Sequence, residues 1–220
     1  SHSAQQYRNG YYGKLDVAII EACAITEEGH IVPTTSMGNS PSFVQAADIV
    51  IVEVNTVQPA KLEGMHDVYV PLDPPNRQPI PIVKTNDLIG TPYIECGPDK
   101  ITAIVMSDVT DKVRPLAPLD EESKKMASNL IGFLKGEVEK GCLPPNLLPL
   151  QSGVGNVANA VLAGLADSDF EGLEFYSEVI QDAAFDLIDC GKFVAVSGTS
   201  LTPSETGLQR FIDNIDFYRD

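Results

Sequence analysis

The sequence predicts an α/β protein built from two open, mostly parallel sheet units, and three observations lead there. A strand-like run at 15–25, a helix start at 39–41 and a β-branched run at 48–54 follow one another at the spacing of an α/β unit with a parallel sheet. A polar, proline-punctuated connector at 108–119 then interrupts the pattern. Beyond it, residues 147–182 read as strand, glycine turn, helix and strand, with an acid at the second strand's end.

Taken in order, residues 15–25 (LDVAIIEACAI) are a continuous apolar run holding one acid, Glu21. Gly29-His30 turns the chain into residues 31–34. Asn39-Ser40-Pro41 supplies a polar cap and a proline placed where its missing N–H does no harm, which predicts a helix from 41 to about 47. Residues 48–54 (DIVIVEV) are nearly all β-branched, the pattern of a strand buried on both faces. Residues 71–81 (PLDPPNRQPIP) carry five prolines and can be neither helix nor central strand. They read as an extended loop over a surface or a subunit boundary. Residues 101–106 read as another buried strand.

The longest helix is expected at 120–140. Met126, Leu130, Leu134 and Val138 recur every four residues as its apolar side, acids crowd its first turn, and Lys140-Gly141 closes it. Pro144-Pro145 prevents its continuation. A helix at 181–189 ends near Gly191, a strand follows at 193–196, and Thr202-Pro203-Ser204-Glu205 opens a last helix, with Thr202 as cap, that runs to about 215. The expected domains are therefore 1–110, a connector with the long helix at 111–145, and 146–220.

Of the 220 residues, 43% are hydrophobic, enough for a core. The formal net charge of -16, from 15 basic against 31 acidic side chains, argues against nucleic-acid and anionic-membrane partners, which need a basic face. A phosphate-bearing ligand would have to be held by backbone N–H groups and a few local cations. Cys23, Cys96, Cys142 and Cys190 are far apart and none forms a C-x-x-C pair, so they read as reduced, mostly buried thiols in a cytoplasmic compartment or a mitochondrial matrix. His2, His30 and His66 stand at no ligand spacing from a cysteine, and no metal site is expected. No run of about 18 apolar residues exists to span a membrane.

The chemistry concentrates at 147–182 (LLPLQSGVGNVANAVLAGLADSDFEGLEFYSEVIQD). Gly153-x-Gly155-x-x-Ala158 matches the phosphate-binding fingerprint between a strand and a helix, where glycines admit a ligand and the helix end offers unpaired N–H groups. Three readings stand together: a turn that only lets the helix pack, a dinucleotide site with Glu174 or Glu178 near the ribose distance, and a site for another anionic ligand. Glu178 is either a solvated loop or cap residue or, given the apolar Phe175, Val179 and Ile180 around it in sequence, a partly desolvated nucleophile. No paired carboxylate points to glycoside hydrolysis and no G-x-S-x-G elbow to a serine hydrolase.

The segments LPPNLLPLQSGVGNVANAVLAGL (143–165) and YSEVIQD (176–182), with EACAITEEGHIVPTTSMGNS (21–40) and PPNRQPIPI (74–82), resemble the acetyl-CoA hydrolase/transferase family of class I CoA-transferases along essentially the whole chain. The resemblance implies the two-unit α/β architecture of that family, with the second unit incomplete, so that the chain looks like a central fragment. It implies Glu178 as a nucleophile that passes through an acyl anhydride and a glutamyl-CoA thioester. Val154 would offer its backbone N–H to the oxyanion, and Gly153, Val154, Gly155, Asn156 and Val157 would contact CoA. Lys112 and Arg114 stand where a family cation could face an anionic substrate. Coenzyme A and acyl-CoA (acetyl-CoA or succinyl-CoA) then enter as substrates, beside small carboxylic acids and without a permanently bound cofactor. The full-length protein is expected to be a homodimer. A plain acyl-CoA hydrolase and a non-catalytic nucleotide-binding module remain the alternatives.

Overall fold

The computed structural model describes residues 2–113 and 118–219. The chain forms two units, one of Ser1–Val83, Asp87–Asp111 and Phe211–Asp220, the other of Lys84–Asn86 and Lys112–Arg210.

The first unit begins with α1 (His2–Arg8) and β1 (Leu15–Ala22), then β2 (Ala24–Ile25), β3 (Ile31–Val32), α2 (Ser40–Ala46), β4 (Ala47–Asn55) and β5 (Ile101–Ser107). β1, β4 and β5 make a parallel sheet in that order, with β1 and β4 in register from Leu15 opposite Ala47 to Ala22 opposite Val54. β2 and β3 pair antiparallel. Pro41 sits in the first turn of α2, as its fixed φ favours. The core lies on one face of the sheet: Ala18, Ile20 and Ala22 of β1 and Val50 and Val52 of β4 gather Val44, Ile31, Val68 and Ile94. The proline-rich segment at 71–81 contains neither helix nor strand. Arg8 holds its start, donating to Asp73 at 2.7 Å and to Ser42 at 2.9 Å.

Two expectations for this sheet are corrected. β4 is not buried on both faces: Val50 and Val52 are fully buried, while Ile49 is exposed beside the exposed Val17 of β1, and Ile19 is 68% exposed. Strand alternation sends these side chains to the face opposite the core. β5 is likewise not a buried strand. It lies at the edge of the sheet with Ile104, Val105 and Met106 all exposed. A β-branched run specifies a strand without specifying how many of its faces are covered.

The second unit contains α3 (Glu121–Glu139), α4 (Asn156–Ala166), β6 (Leu173–Ile180), α5 (Asp182–Asp189), β7 (Phe193–Leu201) and most of α6 (Glu205–Asp213). The last helix, α7 (Ile215–Arg219), belongs to the first unit. β6 and β7 pair in parallel, and Phe175 stacks on Phe193 with centroids 5.1 Å apart. Asp120 caps α3 by accepting from the Ser123 N–H at 2.7 Å, and Gly141 follows Lys140 with φ +74°, as the expected stop requires.

The face of α3 that packs differs from the expected one. Ser123 and Ala127 are buried, whereas Met126 and Leu130 are exposed and Leu134 and Val138 only half-buried. The small residues set the contact because α4 comes close there: a Cβ on Gly164 would lie 3.8 Å from the Ala127 Cβ and 3.5 Å from Ile131. The cap of α6 also moves. The Gly207 N–H donates to the Ser204 hydroxyl at 3.1 Å, so Ser204, directly before the first helical residue, does the work expected of Thr202.

Candidate active site

The site is built where the strand-like segment before α4 meets β6. Only Leu150 of that segment pairs with the strand, through a parallel bridge to Phe175: the Leu150 N–H donates to the Glu174 carbonyl at 2.8 Å and the Tyr176 N–H to the Leu150 carbonyl at 2.9 Å. The expected strand at 147–150 is thus a single rung. Leu147, with φ +58°, and the bend from Pro144 keep its start out of the ladder. Past Leu150 the chain rises into Gly153-Val154-Gly155 and enters α4 at Asn156. Gly155 has φ +147° and ψ +166°, a conformation essentially reserved for glycine. It caps α4 without a side-chain bond, and no acid occupies the first helical turn. Val154 is 69% exposed at the crest of the turn, Val157 is exposed and Asn156 half-buried.

On β6, alternation separates the residues that sequence reading had joined. Ser177 is buried, and Tyr176 and Glu178 point to the exposed face. Glu178 is therefore exposed rather than partly desolvated, although Phe175 and Ile180 are buried and Val179 is half-buried. The main chain at Glu178 is fixed by β7, whose Thr199 hydroxyl donates to the Glu178 carbonyl at 2.6 Å. Glu174 has a partner of its own: the Thr85 hydroxyl donates to its carboxylate at 2.6 Å.

The turn and the acid are joined by a contact that the sequence did not single out. The Ser177 hydroxyl donates to the Ser152 carbonyl at 2.8 Å and accepts from the Ser152 N–H at 3.3 Å. Gly153 and Glu178 each follow one partner of this pair directly. A second unforeseen support is Lys192, a nearly buried ammonium that donates to the carbonyls of Ser168 at 2.5 Å and Phe170 at 3.1 Å. It fixes the loop that carries the chain from α4 into β6. Lys112 is exposed, and Arg114 lies outside the described residues.

Among the described residues, no group of three or more His, Cys, Asp and Glu side chains is arranged to hold a metal ion, and no helix is long and apolar enough to cross a membrane.

A glycine turn opening a helix, beside a carboxylate on the neighbouring strand, is the arrangement of a parallel α/β ligand site. Comparison with known proteins makes the class specific. Residues 1–106 match the family model of the acetyl-CoA hydrolase/transferase N-terminal domain. The chain is 56% identical over 220 residues to succinyl-CoA:acetate CoA-transferase of Clostridium kluyveri, a match covering all of this chain and 41% of that protein. It is 46% identical over 219 residues to acetyl-CoA hydrolase of Yarrowia lipolytica, covering 97% of this chain and 42% of the relative. In fold it is similar to 4-hydroxybutyrate CoA-transferase from Porphyromonas gingivalis, with a TM-score of 0.63 at 19% identity over 94% of this chain and 44% of that one. The chain belongs to the acetyl-CoA hydrolase/transferase family. It spans 41–42% of the length of these two sequence relatives.

Proposed function

We propose that the protein moves CoA between an acyl-CoA and a small carboxylic acid, with Glu178 as nucleophile and the turn from Gly153 to Val157 as the CoA and oxyanion contact. The observation that supports this best is the Ser152–Ser177 pair, which brings the turn and the acid to the same end of adjacent chain segments. The Glu178 carboxylate attacks the thioester carbon, and the oxyanion that forms takes a hydrogen bond from the Val154 N–H. One such donor typically contributes a factor of about 10²–10³ in rate. Collapse expels CoA thiolate and leaves an acyl-glutamyl anhydride. The thiolate then attacks the glutamyl carbonyl, releasing the first carboxylate and forming the glutamyl-CoA thioester. A second carboxylate attacks that thioester and displaces the thiolate. Its attack on the new acyl carbonyl regenerates Glu178 and yields the new acyl-CoA. Each step exchanges one anion for another, so the chemistry asks for oxyanion donors and access more than for a proton shuttle. The exposed carboxylate and the open end of α4 suit those demands.

Acetyl-CoA or succinyl-CoA with a small carboxylate is the substrate pair we favour, because the 56% identical relative carries that name. Hydrolysis, the activity named for relatives at 43–46% identity, is the outcome when water intercepts the glutamyl thioester. Four free cysteines fit a cytoplasmic location, and we read the full-length protein as a homodimer needing no permanently bound cofactor. The test is to incubate full-length protein with acetyl-CoA, reduce with borohydride, and read the peptide containing Glu178 by mass spectrometry. Conversion of Glu178 to the alcohol is expected only when acyl-CoA is present, together with CoA transfer to added succinate or acetate. Transfer retained by Glu178→Ala sinks the covalent mechanism. CoA release with no transfer to any acceptor assigns the protein to hydrolysis.

A further inference from the structure

The Ser177 hydroxyl replaces a rung of the sheet. Were the parallel pairing begun at Leu150 to continue, Ser152 would pair next with the main chain of β6. Instead both of its main-chain groups turn to one side chain: the Ser152 N–H donates to the Ser177 hydroxyl and the Ser152 carbonyl accepts from it. A hydroxyl can donate and accept at once, so one buried side chain, 6% exposed, satisfies both groups while the chain leaves the ladder toward the glycine turn. One residue onward from each partner lie Gly153, which leads to the Val154 N–H, and Glu178. The pair is thus the last direct tie between the segment expected to present the oxyanion donor and the strand expected to present the nucleophile.

We propose that Ser177 is a positioning residue that holds the Val154 N–H in alignment with the carbonyl attacked by Glu178. The proposal rests on the reading of Glu178 as nucleophile. Losing the hydroxyl frees the start of the turn, and the donor then spends less time where the oxyanion forms. An interaction of that kind is made in the transition state alone, so its loss lowers kcat and leaves KM nearly unchanged. A serine that only completes the core would instead lower stability and leave the kinetics of the folded protein intact.

Threonine and valine have the same shape and strand preference, and only threonine keeps the hydroxyl. In full-length protein, Ser177→Val should slow formation of the borohydride-trapped Glu178 adduct about 10- to 100-fold, less than the roughly 10²–10³ that outright removal of an oxyanion donor costs. KM for acetyl-CoA should stay within about twofold, and Ser177→Thr should keep the rate within about threefold. Equal rates in the two variants, or a valine variant as fast as wild type, overturn the proposal. If the added methyl unfolds both, Ser177→Ala needs no extra room and decides alone: a slowed adduct at unchanged KM supports the role, and an unchanged rate refutes it. Glu178→Ala separates the two levels of the argument. Adduct or transfer surviving that substitution removes the nucleophile assignment itself. Their loss there, with full rates in Ser177→Ala and Ser177→Val, removes only the positioning role.

Discussion

Replacing Gly207 with alanine sets two effects of comparable size against each other. At an unconstrained interior helical position the change should stabilise by about 1 kcal/mol, because glycine is the poorer helix former. The surroundings of Gly207 reverse that sign. The Asp182 carboxylate, at the start of α5 just beyond β6, accepts from the Ser204 N–H at 2.8 Å and from its hydroxyl at 2.7 Å. A Cβ on Gly207 would lie 2.2 Å from Asp182 Oδ1 and 2.8 Å from Pro203 Cβ. The carboxylate must therefore move and give up its geometry with Ser204. Hydrogen bonds to a charged group contribute about 1.5–3 kcal/mol each in partly buried settings, less where solvent can substitute. Overpacking adds about 1–3 kcal/mol. Moving the carboxylate relieves most of the clash and the bonds are only part-buried, so the two costs overlap; net of the propensity gain, Gly207→Ala should destabilise by about 1–4 kcal/mol, read from urea unfolding of full-length protein by far-UV circular dichroism. The cause can be isolated in a double-mutant cycle. In an Asp182→Ala background the closest obstacle is gone, and the penalty of Gly207→Ala should fall by at least half. A variant as stable as wild type, or the same penalty in both backgrounds, refutes this account of the joint behind β6.

Two further outcomes follow from single residues. Gly155→Ala forces a side chain onto a φ of +147°, a local strain of about 1–3 kcal/mol that the turn can release only by rotating the Val154–Gly155 peptide; CoA transfer should drop at least about 10-fold with the fold retained, and a fully active variant would contradict the placement of the oxyanion donor. The four thiols are not mostly buried as expected: Cys23 is buried, Cys96 half-buried, and Cys142 and Cys190 exposed. Burial pushes the Cys23 thiol up to about 11, so it should stay unreactive to Ellman's reagent near pH 8 while the exposed Cys142 and Cys190 react. Because the folded state keeps this proton where the unfolded thiol releases it near pH 8.5–9, stability is full below that range and declines as pH climbs toward about 11. Labelling of Cys23 at the rate of Cys142 would overturn the burial argument.

The elements that hydrophobic runs define were legible in the sequence, and the coverage of those elements was not. β1, β4 and β5 announce themselves because branched side chains crowd each run. Which face receives a partner depends on chain that is distant in sequence, and only one face of this sheet carries the core. The same limit appears in α3. Large residues every four positions mark an amphipathic helix, yet the line of closest approach belongs to whichever side is smallest. Ser123 and Ala127 beside Gly164 admit α4, while Met126 and Leu130 remain exposed. For α6 the capping pattern in the sequence points two residues early, because the register of a cap is fixed by where the first turn closes, and here Gly207 closes it on Ser204.

The site shows how sequence proximity and spatial proximity diverge on a strand. Glycines 153 and 155 and the acid at 178 stand out by composition. The nearby Phe175, Val179 and Ile180 made Glu178 look sheltered, but a period of two sends its neighbour Ser177 inward and turns Glu178 outward with Tyr176. On the proposed mechanism, shelter for the carboxylate would come from groups facing the Tyr176 side, including the bound thioester. That shifts the catalytic burden away from ground-state desolvation. On that mechanism an exposed carboxylate can be approached by any acyl-CoA or small acid, and selection of the reactive encounter falls to a fixed donor for the oxyanion. The turn proposed to present that donor is held by two features on either side of Val154: a glycine at a φ that few other residues tolerate, and a buried hydroxyl that takes over both main-chain bonds of Ser152.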